Sequence, residues 1–244
     1  MSVIVRNPHS VLAALKTRPR DVLEIRAPPS AEDTWSAVVT LARKQGVRIS
    51  AAHSAKGAQK PRMETAEGRT SGAEANLKER QPLAWEEILT HSAQDTGPGL
   101  WLALDQIQDP HNVGAIFRTA AFFGVRGILM TQDRSAALTS VVYDVSCGGI
   151  EAVPFAIIPN LQRGFEIAKE RGLWILGTSE HSPTDFSTIQ KDRRWLVVLG
   201  NEEKGMRRLT EESCDVVCSI RPAADQVTSL NVSVATGILI SKLA

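Results

Sequence analysis

The chain has 244 residues, 43% of them hydrophobic and 23% charged, and a formal net charge of +1. That is enough apolar material for one large core or two modest ones without covalent staples, and too little excess charge for a global field that gathers nucleic acid. The three cysteines, Cys147, Cys214 and Cys218, are odd in number and form no C-x-x-C pair, which argues against a disulfide framework and a zinc site and points to a reducing compartment.

The start of the chain, MSVIVRNPHS, has neither a long apolar segment nor a small-residue cleavage site, and no run of about 18 apolar residues follows anywhere. The expectation is a soluble, cytoplasmic protein. Residues 1–100 hold 14 Lys and Arg against 11 Asp and Glu, and residues 101–244 hold 14 against 16, so any phosphate contacts must be local clusters.

In chain order, Val3-Ile4-Val5 reads as a strand, 9–15 as a helix stopping before Pro19, 22–26 as a strand, and 35–45 as a helix ending at Gly46, with a strand at 47–49 after it. From 53 to 81 large apolar residues nearly vanish, and the segment reads as a mobile loop. Its Lys56, Lys60, Arg62, Arg69, Lys78 and Arg80 are read as a solvated surface, with a phosphate-tracking arm as the alternative. A short helix at 85–91 and the polar stretch 93–99 follow, and the boundary between a small α/β domain (1–92) and a second domain (100–244) is placed in that linker.

The second domain alternates strands and helices: 100–104, 113–123, 127–130, 139–146, 152–158, 161–171, 174–178, 195–199, 206–212, 215–220 and 232–243. Such alternation predicts a mostly parallel sheet with helices on both faces, whose ligands gather at the carboxyl ends of the strands.

Three stretches at those ends are rich in polar residues and glycine. In 104–120, Asn112 stands where a helix begins, and Arg118, six residues on, is expected to share roughly its side; an arginine there suits a phosphate or carboxylate, although an isolated helical arginine is usually solvated. In 198–206, Gly200 allows close approach of a ligand to backbone, and Glu202 is placed to orient a cofactor or cap a turn. In 219–237, Ser229 is the expected cap of a helix starting near Leu230, whose free N–H groups favour an anionic or carbonyl-bearing ligand, and Val234, Ala235, Ile238 and Leu239 form its expected buried face.

Together DPHNVGAIFRTA, LVVLGNEEKGM and SLNVSVATG resemble, in order and spacing, the three motifs of the TrmH-like branch of the SPOUT superfamily, S-adenosylmethionine-dependent RNA ribose 2′-O-methyltransferases. The resemblance spans 104–244 and implies an α/β fold: a parallel-sheet SPOUT domain with a C-terminal trefoil knot, preceded by a small α/β RNA-binding domain. General topology rules alone exclude a knot. It further implies S-adenosyl-L-methionine held by the backbone at Gly200, Arg221 and Leu230, with Thr178 as a further contact; Asn112, Arg118, Glu202, Ser229 and Asn231 as polar active-site residues; no metal; and a homodimer with its sites at the subunit interface.

Two residues depart from the family pattern: Arg221 replaces an apolar residue, and Asp225 replaces a glycine in a way expected to alter the cofactor loop. RNPHSVLAAL resembles the start of the small domain found in ribosomal-RNA members, with Asn7 in place of their usual glycine. Ribosomal RNA is the expected substrate, with transfer RNA, or a non-catalytic role in ribosome assembly, as alternatives. Arg118 is the candidate for the proton step. Since arginine stays protonated in proteins, it acts together with an RNA phosphate or only positions the hydroxyl. An ordinary nucleotide-binding fold is disfavoured by the absence of G-x-G-x-x-G after an early strand and of a P-loop motif.

Overall fold

The computed structural model describes residues 1–28, 33–51, 72–91, 97–223 and 229–244. It divides into two compact units, Met1–Arg80 and Gln81–Ala244.

In the first unit β1 (Ser2–Val5), α1 (Pro8–Thr17), β2 (Val22–Ala27), α2 (Asp33–Lys44), β3 (Ile49–Ala51) and β4 (Glu74–Lys78) form a four-stranded sheet in the order β1-β4-β2-β3. Asn7 has a definite job: its Oδ1 accepts from the N–H groups of His9 and Ser10, at 2.9 and 3.3 Å, and caps α1, with Pro8 in the first helical turn. Val11 and Leu15 of α1 and Val38 and Ala42 of α2 are fully buried, as their helical spacing requires.

The expected mobile loop at 53–81 is corrected at its end. Residues 74–78 form β4, which lies between β1 and β2 and is antiparallel to both. Ala73, Ala75 and Leu77 alternate into the core, but two of the three are alanines, so the period-2 signal is faint in sequence. Of the loop's basic residues, Lys56, Lys60, Arg62 and Arg69 lie outside the described residues. The third strand begins at Ile49 rather than at residue 47.

The second unit opens with α3 (Trp85–His91), which the sequence reading assigned to the first domain. Its side chains decide otherwise. Trp85, Ile88 and Leu89 are buried in one cluster with Trp101, Leu161 and Phe165, and the Trp85 indole N–H donates to the Gly164 carbonyl at 3.0 Å. Each such side chain contributes about 1.5–3 kcal/mol by leaving water, so the boundary falls between Arg80 and Gln81 and not at 93–99.

There follow β5 (Gly99–Leu104), α4 (Pro110–Phe123), β6 (Ile128–Thr131), α5 (Ser140–Ser146), α6 (Gly149–Ala152), β7 (Phe155–Ile158), α7 (Leu161–Glu170), β8 (Trp174–Thr178), β9 (Arg194–Leu199), α8 (Arg208–Glu212), β10 (Val216–Cys218) and α9 (Val232–Leu243). The six strands are all parallel, in the order β10-β8-β9-β5-β6-β7. Trp101, Ala103, Leu196 and Val198 point into the cluster under α3 and α7, and the alternate residues Leu102, Leu104, Val197 and Leu199 are equally buried on the other face. There α4 packs against α5, α6 and α9. Gly124, with φ 72°, ends α4 in the left-handed conformation a side chain resists.

From β5 the chain builds outward through β6 and β7, then returns to the opposite side with β8, β9 and β10. The strand order therefore reverses between β5 and β9. Loops leaving the carboxyl ends of two such strands diverge and open a crevice, and these two loops carry the first two motifs.

Candidate active site

Three loops meet at that crevice. Glu202, just past β9, accepts through Oε1 from the Asn112 side-chain amide at 3.0 Å and from the Asp109 N–H at 3.4 Å, and through Oε2 from the Asn201 amide at 3.3 Å and the Gln108 N–H at 3.5 Å. A carboxylate only accepts, which fixes the Asn112 amide with its nitrogen toward Glu202. Asn112 Oδ1 thus faces outward and accepts from Asn231 Nδ2 at 3.0 Å, while Asn231 Oδ1 accepts from the Ser233 N–H at 2.9 Å and its hydroxyl at 2.6 Å. A directed relay runs Ser233, Asn231, Asn112, Glu202.

The local sequence explains each position. Asp109 caps α4 by accepting from the His111 N–H at 2.8 Å, so Asn112 lies in the first helical turn, 6% exposed. Asn231, not Ser229, caps α9, which begins at Val232 rather than near Leu230; an asparagine one residue before the helix outcompetes a serine three before it. Ser229 is exposed, with no hydrogen-bond partner among the described residues.

A pocket of about 810 Å³ opens beside the relay, lined by residues 178–181, 199–206, 218–223 and 229–232, with Glu211, Ala235 and Leu239. It brings together Thr178, Gly200, Glu202, Arg221, Ser229, Leu230 and Asn231 from the sequence reading. The Thr178 hydroxyl is already committed to the Val198 carbonyl at 2.8 Å. Arg221 turns its side chain away, donating to the Pro183 carbonyl at 2.7 Å and pairing with Asp185 at 3.4 Å, which leaves its backbone to face the pocket. Leu230 is 47% exposed on the rim.

Gly200 is needed by its own loop. A Cβ there would lie 2.3 Å from Gly205 C and from Met206 N, so glycine is required by the loop folding back on itself before any ligand enters. The return is made by paired backbone hydrogen bonds between Asn201 and Gly205, at 3.0 and 2.9 Å, with Gly205 at φ 67°.

Arg118 is the residue the structure does not bring into the cluster. Six residues advance a helix by about 240°, so it leaves the face of Asn112 instead of sharing it. It is exposed, with no hydrogen-bond or ion-pair partner among the described residues. Asp225, the second departure from the family pattern, lies outside the described residues. On α9 the buried face is Thr236, Leu239, Ile240 and Leu243; of the expected set, Val234 and Ile238 are 52% and 39% exposed.

Asp105 and Lys242 were given no role from sequence. Asp105, 1% exposed at the end of β5, accepts from the Arg207 N–H at 3.0 Å and its Nε at 2.8 Å, clamping the loop after β9 to the strand beside it. The signal was a carboxylate directly after the apolar run Leu100 to Leu104. Lys242, near the end of α9, donates to the Phe186 and Ser187 carbonyls. Asp185 in that same loop is held below the usual carboxylate range by the Ser187 N–H and hydroxyl, with Arg221 and Lys242 assisting. On the pocket wall, burial pushes the Cys218 thiol up to about 12, so it stays neutral. Among the described residues no cluster of His, Cys, Asp and Glu is arranged to hold a metal, and no helix is long and apolar enough to cross a membrane.

A parallel sheet covered on both faces, with a pocket at the carboxyl ends of β8, β9 and β10 beside an amide relay, is the arrangement of an α/β cofactor-binding protein. The chain belongs to the SpoU rRNA methylase family, whose model matches residues 99–241. It is 36% identical over 234 residues to the 23S rRNA (guanosine-2′-O-)-methyltransferase RlmB of Pseudomonas syringae pv. tomato, covering 94% of this chain and 90% of that one. It is 35% identical over 240 residues to RlmB of Pseudomonas aeruginosa, with 96% and 93% covered. The fold is that of the SpoU methyltransferase AviRb from Streptomyces viridochromogenes, solved with its cofactor AdoMet: TM-score 0.79 at 18% identity, over 99% of this chain and 89% of that one.

Proposed function

We propose that this protein transfers the methyl group of S-adenosylmethionine to a ribose 2′-hydroxyl of large-subunit ribosomal RNA, with guanosine as the target nucleoside. The observation that carries the reading is the Glu202–Asn112–Asn231 relay beside the pocket, on a chain of the SpoU family. The relatives' names supply the RNA and the nucleoside. This reading places the protein in the cytoplasm, with its ribosomal substrate.

The pocket fits the cofactor. Its volume is in the range of small-molecule sites, its walls combine Leu199, Met206, Leu230 and Leu239 with backbone, and Glu180, Glu203 and Glu211 suit a positively charged sulfonium. When bound, the cofactor supplies an electrophilic methyl group. Gly200, Arg221 and Leu230 would hold it by main-chain groups, with Thr178 as a further contact. The relay keeps the three loops in register. Ser229 and Asn231 face the substrate side of the pocket, and alignment of the hydroxyl with the methyl group is the main catalytic task.

Arg118 completes the site in a homodimer. Phe122 is one turn beyond Arg118 on the same side of α4 and is 83% exposed, and α9, packed against α4, exposes Val234 and Ile238. Exposed apolar side chains on two helices that pack together suit a subunit interface, and in this reading Arg118, beside Phe122, reaches the ribose and phosphate in the partner's pocket. A monomer by sedimentation at micromolar concentration, still fully active, would contradict this assembly. The segment after β10 passes the loop between β8 and β9, with Ser219 N–H on the Thr184 carbonyl at 2.8 Å and Phe186 N–H on the Ser219 carbonyl at 2.8 Å. This parallel bridge lays the segment after β10 beside the loop between β8 and β9, as a knotted C-terminus requires. The first unit is read as the RNA-binding domain.

The test is transfer of labelled methyl from S-adenosylmethionine to unmodified large-subunit ribosomal RNA, followed by mapping of the ribose modified. Methylation of a base, or of transfer RNA alone, would overturn the reading.

A further inference from the structure

Arg134 lies in the loop that leaves the carboxyl end of β6, the strand next to β5. Its φ is 55°, in the left-handed region that a long side chain rarely adopts. It is exposed, and its guanidinium has no hydrogen-bond or ion-pair partner among the described residues. Nothing within the fold therefore rewards an arginine at this position, where glycine or asparagine fits the backbone better.

The loop is firmly placed. Gln132 N–H donates to the Ile158 carbonyl at 2.9 Å, Ala136 N–H to the Ile107 carbonyl at 2.8 Å, and the Thr131 and Ser135 hydroxyls are joined. Thr131 Oγ1 also accepts from the N–H of Gln106 at 3.2 Å, and Gln106, with φ 63°, gives its carbonyl to the Asn201 amide at 2.9 Å. The loops after β9, β5 and β6 are thus laced into one rim. Two non-glycine residues with positive φ sit on it, and the middle loop leads into Asn112. Strain that the surrounding structure enforces at the edge of a site is a pointer to function.

We propose that Arg134 is a substrate-positioning residue that holds a backbone phosphate of the RNA beside the target nucleotide. This rests on the reading of the protein as an RNA methyltransferase. The rigid rim sets the distance between that phosphate and the Asn112 relay. A guanidinium grips phosphate oxygens in a fixed fork, and a phosphate contact positions the strand without reading its sequence. Asp133 beside it is also exposed, so the contact is with a single phosphate and not with a broad basic field.

The test uses the full-length enzyme, unmodified large-subunit ribosomal RNA and the variant Arg134→Gly. Glycine removes the charge and relaxes the backbone, so the melting temperature should stay level or rise. RNA binding should weaken roughly tenfold, and the slope of log affinity against log salt should fall by about 0.7 to 1, the contribution of one phosphate contact. The affinity for S-adenosylmethionine by calorimetry should match wild type. Arg134→Lys should keep most of the salt slope, and Arg134→Asn, which tolerates the left-handed backbone, serves if the glycine variant folds poorly. RNA affinity and salt slope equal to wild type in a folded charge-free variant would overturn the assignment. Failure of the wild-type enzyme itself to methylate this RNA is a separate result and counts against the proposed function.

Discussion

Asn231 and Asn112 are 119 residues apart in the chain, and their side-chain amides meet at 3.0 Å. The contact ties the start of α9, the last helix, to the start of α4, the second helix of the second unit. It also engages both ends of each amide, since Asn112 donates to Glu202 while Asn231 accepts from Ser233.

That arrangement separates capping from positioning. Asn231→Asp keeps an oxygen for the Ser233 N–H, so α9 remains capped and stability should fall by less than about 1 kcal/mol. The second carboxylate oxygen then faces Asn112 Oδ1, two acceptors with no proton between them, and methyl transfer should drop by roughly a hundredfold, the scale of positioning groups. Urea unfolding beside single-turnover transfer measures the two effects. Equal loss of both would mean that Asn231 is only a cap.

Glu202→Gln tests the hub. Its carboxylate receives four donors, two on each oxygen. A glutamine turns an NH₂ toward two of them. The loops after β5 and β9 should loosen at a cost of roughly 1–3 kcal/mol, and binding of S-adenosylmethionine should weaken. Calorimetry showing wild-type affinity would remove Glu202 from the machinery that shapes the pocket.

The alternation of strands and helices made the parallel sheet legible in sequence, because strands buried on both faces are continuous apolar runs such as Leu100 to Leu104 and Leu196 to Leu199. β4 is faint in sequence because two of the three residues that alternate into the core there are alanines. The placement of α3 was missed because a linker is judged by composition, whereas Trp85 is committed by what it packs against. The motifs named the relay residues, but not that Asn112, Glu202 and Asn231 touch one another. Arg118 leaves the face of Asn112 because six residues turn a helix by about 240° beyond a whole turn, a phase that spacing alone does not display. Gly200 was assigned to the ligand although its own loop demands it, a contact between residues close in sequence that only the turn geometry reveals.

Gly200→Ala should therefore damage the empty protein and not merely its complex. The new methyl group overlaps the Gly205 and Met206 backbone, which cannot swing aside as a side chain end can. A loss of roughly 1–3 kcal/mol is expected, with no thermal shift on adding S-adenosylmethionine. An unchanged melting temperature with binding abolished would restore the simpler view that Gly200 only makes room for ligand.

Stability at high pH should depend on Cys218. Burial raises its thiol in the folded protein to about 12, above the value of about 8.5 for an unfolded cysteine. A raised folded value gives stability that is fully present below the unfolded pKa and is lost as pH climbs toward the folded one, at about 1.4 kcal/mol per pH unit for one thiol. Cys218→Ala should flatten the decline between pH 9 and 11 relative to wild type in urea unfolding. Parallel curves for the two proteins would contradict the burial argument.

Arg118 offers the sharpest test of how the site is completed. On its own helix it points away from Asn112 and has no partner among the described residues, so removing it should cost the fold little. Arg118→Ala should bind S-adenosylmethionine like wild type by calorimetry and unfold at the same urea concentration. Its single-turnover transfer to RNA should fall by roughly a hundredfold or more. Lysine should rescue poorly, since an ammonium lacks the planar two-pronged contact. If Arg118 serves the pocket of the partner copy, as its place beside exposed Phe122 suggests, then two inactive proteins should complement each other. Mixing Arg118→Ala with Asn231→Asp yields hybrid dimers in which one pocket has both wild-type residues, one from each chain. Such dimers make up about half of a random mixture and carry one intact pocket of two, so transfer should return to about a quarter of the wild-type level. No recovery on mixing, with hybrids verified by mass, would place Arg118 at the pocket of its own chain and remove the partner from the chemistry.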